Sequence, residues 1–327
     1  MKAIKITSTG KAEVLDGVPV PKLRDGYILV RTKAVSANPT DWKHIDLFAS
    51  PGATVGCDYR GVVERVGLDV QNGIKVGDRV AGMVHGSNHI NHEDGSFGEF
   101  LVAKADLQMI LPASMSFLDA ATLGSGIITV GQSMYQSLAL PLPSNPSNEE
   151  AFVLVHGGST ATGTLAIQFA KLSGLRVVTT CSPQNEQLLR GLGADYVLNY
   201  RSPTCAKDIR DVTRNSLAHA LDTVASPDSA QLCCDSIGPK GGVYTSLLPI
   251  EKLPRPDVVN RSTMAFTALG EAFDIGGQQI PAIPEDHAFA VQFTRLTQEL
   301  LAKNALKVHP ELREGKVSGV KLVYSME

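Results

Sequence analysis

No excess of positive charge runs through the 327 residues. Thirty Lys and Arg stand against 33 Asp and Glu, a net of −3, so nothing draws a nucleic acid or an anionic membrane. No apolar run approaches the roughly 20 residues of a membrane span. The N-terminus, Met1 to Lys11, reads as a strand rather than a secretory leader. Cysteine is scarce. The five present (Cys57, Cys181, Cys205, Cys233, Cys234) make no even disulfide framework, and Cys181 falls in a run that reads as buried strand. A reducing, cytoplasmic setting is expected, with no nucleic acid and no membrane as partner. A hydrophobic fraction of 43% and a charged fraction of 19% are those of a soluble globular protein, and the length asks for two domains.

What the chain does have is a stretch that organises the rest, Ala151 to Ser182. Phe152-Val153-Leu154-Val155 is short and apolar enough for a buried parallel strand. Gly157-Gly158 breaks it, and Ser159, Thr160, Ala161, Thr162 and Gly163 are all small. From Leu165 apolar residues recur at helical spacing; Gly174 closes the helix and Val177-Val178 opens a second strand. This order brings the N–H groups of a helix start against a pyrophosphate, which makes Ser159, Thr160, Ala161 and Thr162 expected cofactor contacts. One glycine is missing. In a G-x-G-x-x-G frame ending at Gly163, Gly158 fits but Thr160 takes the middle place.

The second strand also ends without an acid. An NAD site uses a carboxylate there, about 20 residues past the glycines, to bond the ribose 2′-hydroxyl. Thr179-Thr180-Cys181-Ser182-Pro183-Gln184-Asn185 has none. Nothing repels a 2′-phosphate, and Ser182 and Asn185 are donors for it, with Arg201 as a cation that sequence does not place. NADPH is the expected cofactor, with Ser182, Pro183, Gln184 and Asn185 around it. Tyr200, after the third strand, either meets the adenosine or only packs.

Residues 1–120 carry short alternating runs (Met1–Ile6, Tyr27–Ala34, Gly61–Val66, Asp78–Val84, Phe97–Ala103) between turn signals, as in a compact β-barrel-like domain. A helical pattern covers Leu118–Leu138, and 141–148 is a surface loop by composition. Past the nucleotide stretch come a short helix at Glu186–Leu192, strands at Tyr196–Leu198, Ala220–Val224 and Gly242–Ser246, and a helix at Asp228–Ile237. Such βα alternation gives an α/β fold with a doubly wound parallel sheet. The expected domains are 1–120, 121–274 for the nucleotide, and 275–327 as a segment returning to the first. That segment holds an amphipathic helix, Phe289–Lys303, and a closing strand, Gly315–Tyr324.

Taken together, the chain resembles the medium-chain dehydrogenase/reductase superfamily. The likeness rests on Asn38-Pro39-Thr40-Asp41-Trp42-Lys43, Gly56-Cys57-Asp58-x-x-Gly61-x-Val63-x-x-Val66-Gly67, Gly77-Asp78-Arg79-Val80, Gly95–Phe100, the nucleotide turn and Gly315–Gly319. Within it, Ala81–Gly86, Gly157–Gly163 and Thr180-Cys181-Ser182-Pro183 are similar to the trans-acting enoyl reductases of fungal polyketide and hybrid polyketide–peptide synthases. The resemblance implies a GroES-like β-rich catalytic domain beside a Rossmann domain. It also implies a longer stretch, with another helix, between Lys307–Pro310 and Glu311–Gly315; here the two almost abut, by a trimmed lobe or an omitted loop.

Zinc alcohol dehydrogenases of this superfamily place a Cys, a Gly-His-Glu motif and a further Cys or His round the ion. This chain has Pro39/Thr40 for the first Cys and Cys57-Asp58 for His-Glu, and it lacks the four clustered cysteines of the structural zinc lobe. His85, His89 and His92, with Glu93 and Asp94 alongside, fit no helical zinc motif and read as a loop. No metal is expected.

Without a Lewis acid, reduction of a polarised C=C is the chemistry that remains, since it asks the protein mainly to align two carbons and stabilise an enolate oxygen. The resemblance puts Pro39, Thr40, Asp41, Trp42 and Lys43 at the cofactor, and Lys43 is a catalytic candidate or else a solvated lysine. Thr129 is the second, bonding the nicotinamide carboxamide or its own backbone. Gly124, Ser125, Gly126, Ile127, Ile128, Thr129, Val130 and Gly131 leave room for an acyl chain or serve helix packing. Leu247, Leu248, Val317 and Ser318 match stretches that touch cofactor, and Phe266, Thr267, Ala268, Leu269 and Gly270 one that lines substrate. The implied partner is the acyl carrier protein of a separate synthase, met by a monomer: Ser262–Ala272, the segment expected at the sheet edge, holds Gly270 and Glu271, which disfavour pairing. A zinc-free quinone or enone reductase and a non-catalytic NADPH-binding protein stand as alternatives.

Overall fold

The computed structural model describes residues 1–116, 120–307 and 321–326. Val317 and Ser318, the abutted segment at 308–315 and the start of the Leu118–Leu138 helix lie outside them. In chain order the elements begin β1 (Ala3–Ser8), β2 (Lys11–Leu15), β3 (Tyr27–Ser36), α1 (Pro39–Leu47), β4 (Asp58–Val66), β5 (Arg79–Met83), β6 (Phe100–Lys104), β7 (Met109–Ile110) and α2 (Gly124–Val130). Then come β8 (Phe152–His156), α3 (Ala161–Leu172), β9 (Arg176–Cys181), α4 (Glu186–Gly191), β10 (Tyr196–Asn199), α5 (Cys205–Val212), β11 (His219–Asp222), α6 (Pro227–Ser236), β12 (Gly242–Ser246) and β13 (Val258–Ser262). The last are β14 (Phe273–Ile275), β15 (Gln278–Ile280), α7 (Pro284–Ala302) and β16 (Val323–Ser325). Two units divide the chain: Met1–Ile128 with the described residues from Phe266 on, and Thr129–Ala265.

In the first unit a six-stranded antiparallel sheet is built on β3, which is buried on both faces over most of its ten residues. β4 pairs along one side of it; β6 takes Tyr27–Arg31 on the other side and β16 takes Ala34–Ser36. Alternation sends Ile28, Val30, Val63, Val80 and Leu101 to one buried cluster, each contributing about 1.5–3 kcal/mol on full burial. Helix α1 breaks the run of strands. Pro39 at its first turn needs no N–H partner, and Asn38 and Asp41 form a reciprocal capping box.

In the second unit six parallel strands run in the order β10-β9-β8-β11-β12-β13, the doubly wound arrangement that reverses between β8 and β11. Leu154, Val178, Ala220 and Tyr244 are fully buried and pack with Ile209 of α5 and Cys233 of α6. The sixth strand departs from expectation. The edge is β13, not Ser262–Ala272, and Ala265–Leu269 forms a 3-10 turn instead. β13 is exposed after Val258 and polar after Val259, which is why it carries little apolar signal. Helix α2 gives way to π-helical turns at Gly131–Ser137, with Leu138 N donating to Ser133 O at 3.0 Å. All five cysteines are buried and free.

Candidate functional site

The nucleotide turn is built at the carboxyl end of β8. Thr160 explains its missing glycine: with φ −72° and ψ 160° it is the N-cap of α3, and its hydroxyl accepts from Gly163 N at 2.9 Å. Gly163 is required by close approach, since a Cβ there would lie 2.4 Å from Gly157 O. The first-turn N–H groups of Ala161 and Thr162 have no intrahelical acceptor and stay available to an anion. Thr223, at the end of β11, braces the turn. Its hydroxyl lies 2.8 Å from His156 O and 3.0 Å from Gly157 O, and it accepts from the Thr160 hydroxyl at 2.9 Å. His156 is buried, its Nδ1 2.8 Å from the Thr180 hydroxyl, and burial lowers its pKa.

At the end of β9, Ser182 and Asn185 are buried while Pro183 and Gln184 are exposed. The cation that sequence could not place is here. Arg201 Nη1 donates to Ser182 Oγ at 3.3 Å, and its guanidinium lies 4.9 Å from the centre of the exposed Tyr200 ring. A hydroxyl and an arginine suit a ribose 2′-phosphate. Leu247 and Leu248 follow the end of β12, where Ser246 Oγ donates to Leu248 O at 2.7 Å. Thr129, half-buried near the end of α2, has its carbonyl bonded by Ser133 Oγ at 2.7 Å. Val130 and Gly131 beside it are buried.

In the first unit α1 sorts its residues. Pro39 and Trp42 are exposed, and Lys43 is half-buried with its ammonium 5.7 Å from the Trp42 ring centre. Thr40 Oγ lies 3.1 Å from His44 Nδ1. Asp41 turns inward: it accepts from Asn38 N at 2.7 Å, and burial, aided by the charge of Asp58, pushes its carboxyl up to about 7. His44 was not foreseen. Its Nδ1 is 2.8 Å from Thr40 O and so carries the proton, leaving a buried Nε2 without a hydrogen-bond partner. Both His44 and His85 touch Phe266; His85 stacks on it at 4.0 Å, and burial lowers His85 to about 3.

The stretch Phe266–Leu269 is buried, and side chains clamp it. Lys104 Nζ donates to Leu269 O at 2.7 Å. His287 places Nδ1 2.9 Å from Ala268 O and Nε2 3.1 Å from Asp106 Oδ2. A carbonyl and a carboxylate both accept, so both ring nitrogens donate, and Asp106 raises the His287 pKa. That contribution to stability is complete below the unfolded-state pKa near 6.5 and is lost as pH rises through the higher folded value. Melting curves should accordingly separate wild type from His287→Gln most at pH 6 and least at pH 9; a constant gap would exclude the charged clamp.

Each of the three loop histidines has another neighbour: His85 stacks on Phe266, His89 Nε2 lies 2.8 Å from Phe48 O, and His92 Nε2 lies 2.9 Å from Ser50 Oγ. No group of three or more His, Cys, Asp or Glu able to hold a metal exists among the described residues. Cys57 is fully buried with its thiol pKa pushed up, and Asp58 is already occupied by donors. No helix among the described residues is long and apolar enough to cross a membrane.

A parallel sheet in this order with an antiparallel β-rich unit is the architecture of the medium-chain dehydrogenases and reductases. Residues 24–113 match the alcohol dehydrogenase GroES-like domain and 161–254 the domain described as zinc-binding dehydrogenase. The structure is similar to the CurK enoyl reductase (TM-score 0.75, 19% identity, 100% of this chain and 99% of that one). It is also similar to an Escherichia coli quinone oxidoreductase complexed with NADPH (TM-score 0.72, 20% identity, 94% and 90%). At these identities the likeness speaks for the fold. In sequence the chain is 46% identical over 343 residues to the trans-enoyl reductase ACTTS2 of Alternaria alternata, covering 100% of this chain and 99% of that protein. The chain belongs to the fungal trans-enoyl reductases, and it is an oxidoreductase.

Proposed function

We propose that this chain is an NADPH-dependent, zinc-independent enoyl reductase acting in trans, as a monomer, on an α,β-unsaturated acyl thioester carried by the acyl carrier protein of a separate polyketide synthase. The full-length identity to a protein named a trans-enoyl reductase carries this reading, and the Arg201–Ser182 pair directs it to NADPH. Bound, the cofactor supplies hydride to the β-carbon of the enoyl group, and a proton from solvent completes the α-carbon. The chain's part is binding and charge. The α3 start and Thr160 to Thr162 take the pyrophosphate, and Ser182, Arg201 and Tyr200 the adenosine end. Lys43 stabilises the oxygen that gains charge in the transition state. Gly124–Gly131 and Phe266–Gly270 give the acyl chain apolar walls.

The test is NADPH consumption with an unsaturated acyl-pantetheine thioester and with a free quinone, each with and without a chelator. Oxidation dependent on thioester and indifferent to chelator is expected. Turnover of quinone alone would replace this reading with a reductase of free enones, and loss of activity on chelation would remove the zinc-free mechanism. Lys43→Met should lower kcat on the thioester about 10- to 100-fold. Because Lys43 is half-buried and lies against the exposed Trp42, the melting temperature should hold.

A further inference from the structure

The carboxylate of Asp58, wholly buried at the start of β4, gathers donors from three separate parts of the first unit. Its Oδ1 accepts from Ser125 N; its Oδ2 accepts from Asn38 Nδ2 at 2.9 Å, Ser125 Oγ at 3.0 Å and Ser36 Oγ at 3.3 Å. Oδ2 also accepts from the ammonium of Lys321, itself only 6% exposed and beside Thr122 O. Ser36 Oγ reaches on to Ala121 O at 2.7 Å. Backbone closeness is part of the design: a Cβ on Gly124 would lie 2.5 Å from Asp58 Oδ1 and 2.3 Å from Gly82 O, so Gly124 is needed for the carboxylate to reach Ser125.

We infer that the Asp58–Lys321 pair is the positioning element of the reductase, a fixed carboxylate and ammonium that lock Asn38, the cap of the helix bearing Lys43, to Ser125, the start of the acyl-facing segment. A buried carboxylate needs donors and a countercharge around it; Lys321 supplies the charge, and Asp58 orients what touches it. The two anchored residues open the two segments that the proposed chemistry needs in register, and a displacement of about 1 Å in such segments is enough to cost about 100-fold in rate. Asp58 and Lys321 themselves touch no reacting atom. The inference rests on the proposed roles of Lys43 and of Gly124–Gly131.

The decisive variant is the double substitution Asp58→Asn with Lys321→Met. It removes both charges together, which buried pairs often tolerate in stability, yet the new amide nitrogen faces donors that it cannot accept from. Expected are a protein that still folds with a melting temperature lowered by several degrees, NADPH affinity within about threefold, and kcat on the acyl-pantetheine thioester down about 10- to 100-fold. Hydrogen exchange at the Ser125 amide should rise in the same protein. Lys321→Arg, which keeps the cation, should retain most of the rate. If the double variant does not fold, Asn38→Ala, which cuts one anchor and leaves the ion pair, should lower kcat about tenfold. A folded variant of either kind with wild-type kcat overturns the inference. If wild type reduces no thioester, the functional reading fails by itself, and unchanged Ser125 exchange in the double variant would separately overturn the anchoring.

Discussion

Replacing Arg201 with glutamate should weaken NADPH about 100-fold or more while leaving NADH within a few-fold, so that the preference for the phosphorylated cofactor collapses. A 2′-phosphate carries nearly two negative charges at neutral pH, and a charge-assisted hydrogen bond to it contributes about 1.5–3 kcal/mol, a factor of about 10 to 150 in affinity. Glutamate removes that bond and adds repulsion where β9 otherwise ends without an acid, at Thr179 to Asn185. With NADH the same carboxylate has a ribose hydroxyl to accept from, as in the NAD-type sites the chain departs from. Arg201 is exposed, and its guanidinium meets Ser182 Oγ at 3.3 Å and the exposed Tyr200 ring, so stability should change by no more than about 0.5 kcal/mol. Fluorescence titration of both cofactors at two salt concentrations checks this. Unchanged NADPH affinity would mean that the phosphate is held elsewhere.

What could be read from sequence was what is local. Strand, small turn and helix at Phe152–Leu172 lie within one window, and the apolar run and the 3.6 period that mark them are set by neighbours along the chain. The same holds for the short strand runs of β3, β4 and β6 between their turn signals. α1 was missed although it carried a local signal: Asn38-Pro39-x-Asp41 is a capping box with proline in the first turn. β13 was missed because Val258-Val259-Asn260-Arg261-Ser262 is an edge strand, held by backbone bonds to β12 and turned to solvent, so no apolar pattern was needed. The remaining pieces are non-local. Asp58 and Lys321 are 263 residues apart, His287 and Asp106 181, Thr160 and Thr223 63. No window contains such pairs, and each member alone looks like an ordinary polar residue. Asp222 in the second unit, whose partners lie 2 to 22 residues away, carries the largest effect on stability.

Asp222→Ala should destabilise the nucleotide-binding unit by about 3–5 kcal/mol, read as a lowered urea midpoint at unchanged slope. The side chain is fully buried at the end of β11, and its two oxygens are fully used. Oδ1 accepts from Val224 N at 2.9 Å and Ala225 N at 3.0 Å; Oδ2 accepts from Ser229 Oγ at 2.6 Å and Tyr244 OH at 2.8 Å. Alanine would take the acceptor from four donors, of which Ser229 Oγ keeps Ser226 O at 2.9 Å, and each buried donor left unpaired costs about 1–3 kcal/mol before relaxation and entering water reduce the sum. Tyr244→Phe removes one of these bonds without orphaning the carboxylate and should cost about 1 kcal/mol. The consequence reaches the cofactor. Asp222 holds the turn in which Ala225 sits at φ +57°, and the same turn presents Thr223 to Gly157 and Thr160. Asp222→Asn, which keeps one acceptor oxygen, should therefore fold and yet bind NADPH about tenfold more weakly, because the brace under the pyrophosphate turn loosens. Should Asp222→Asn bind NADPH as wild type does while losing stability, the brace would belong to the fold alone and the turn would hold its shape through α3 and Thr160.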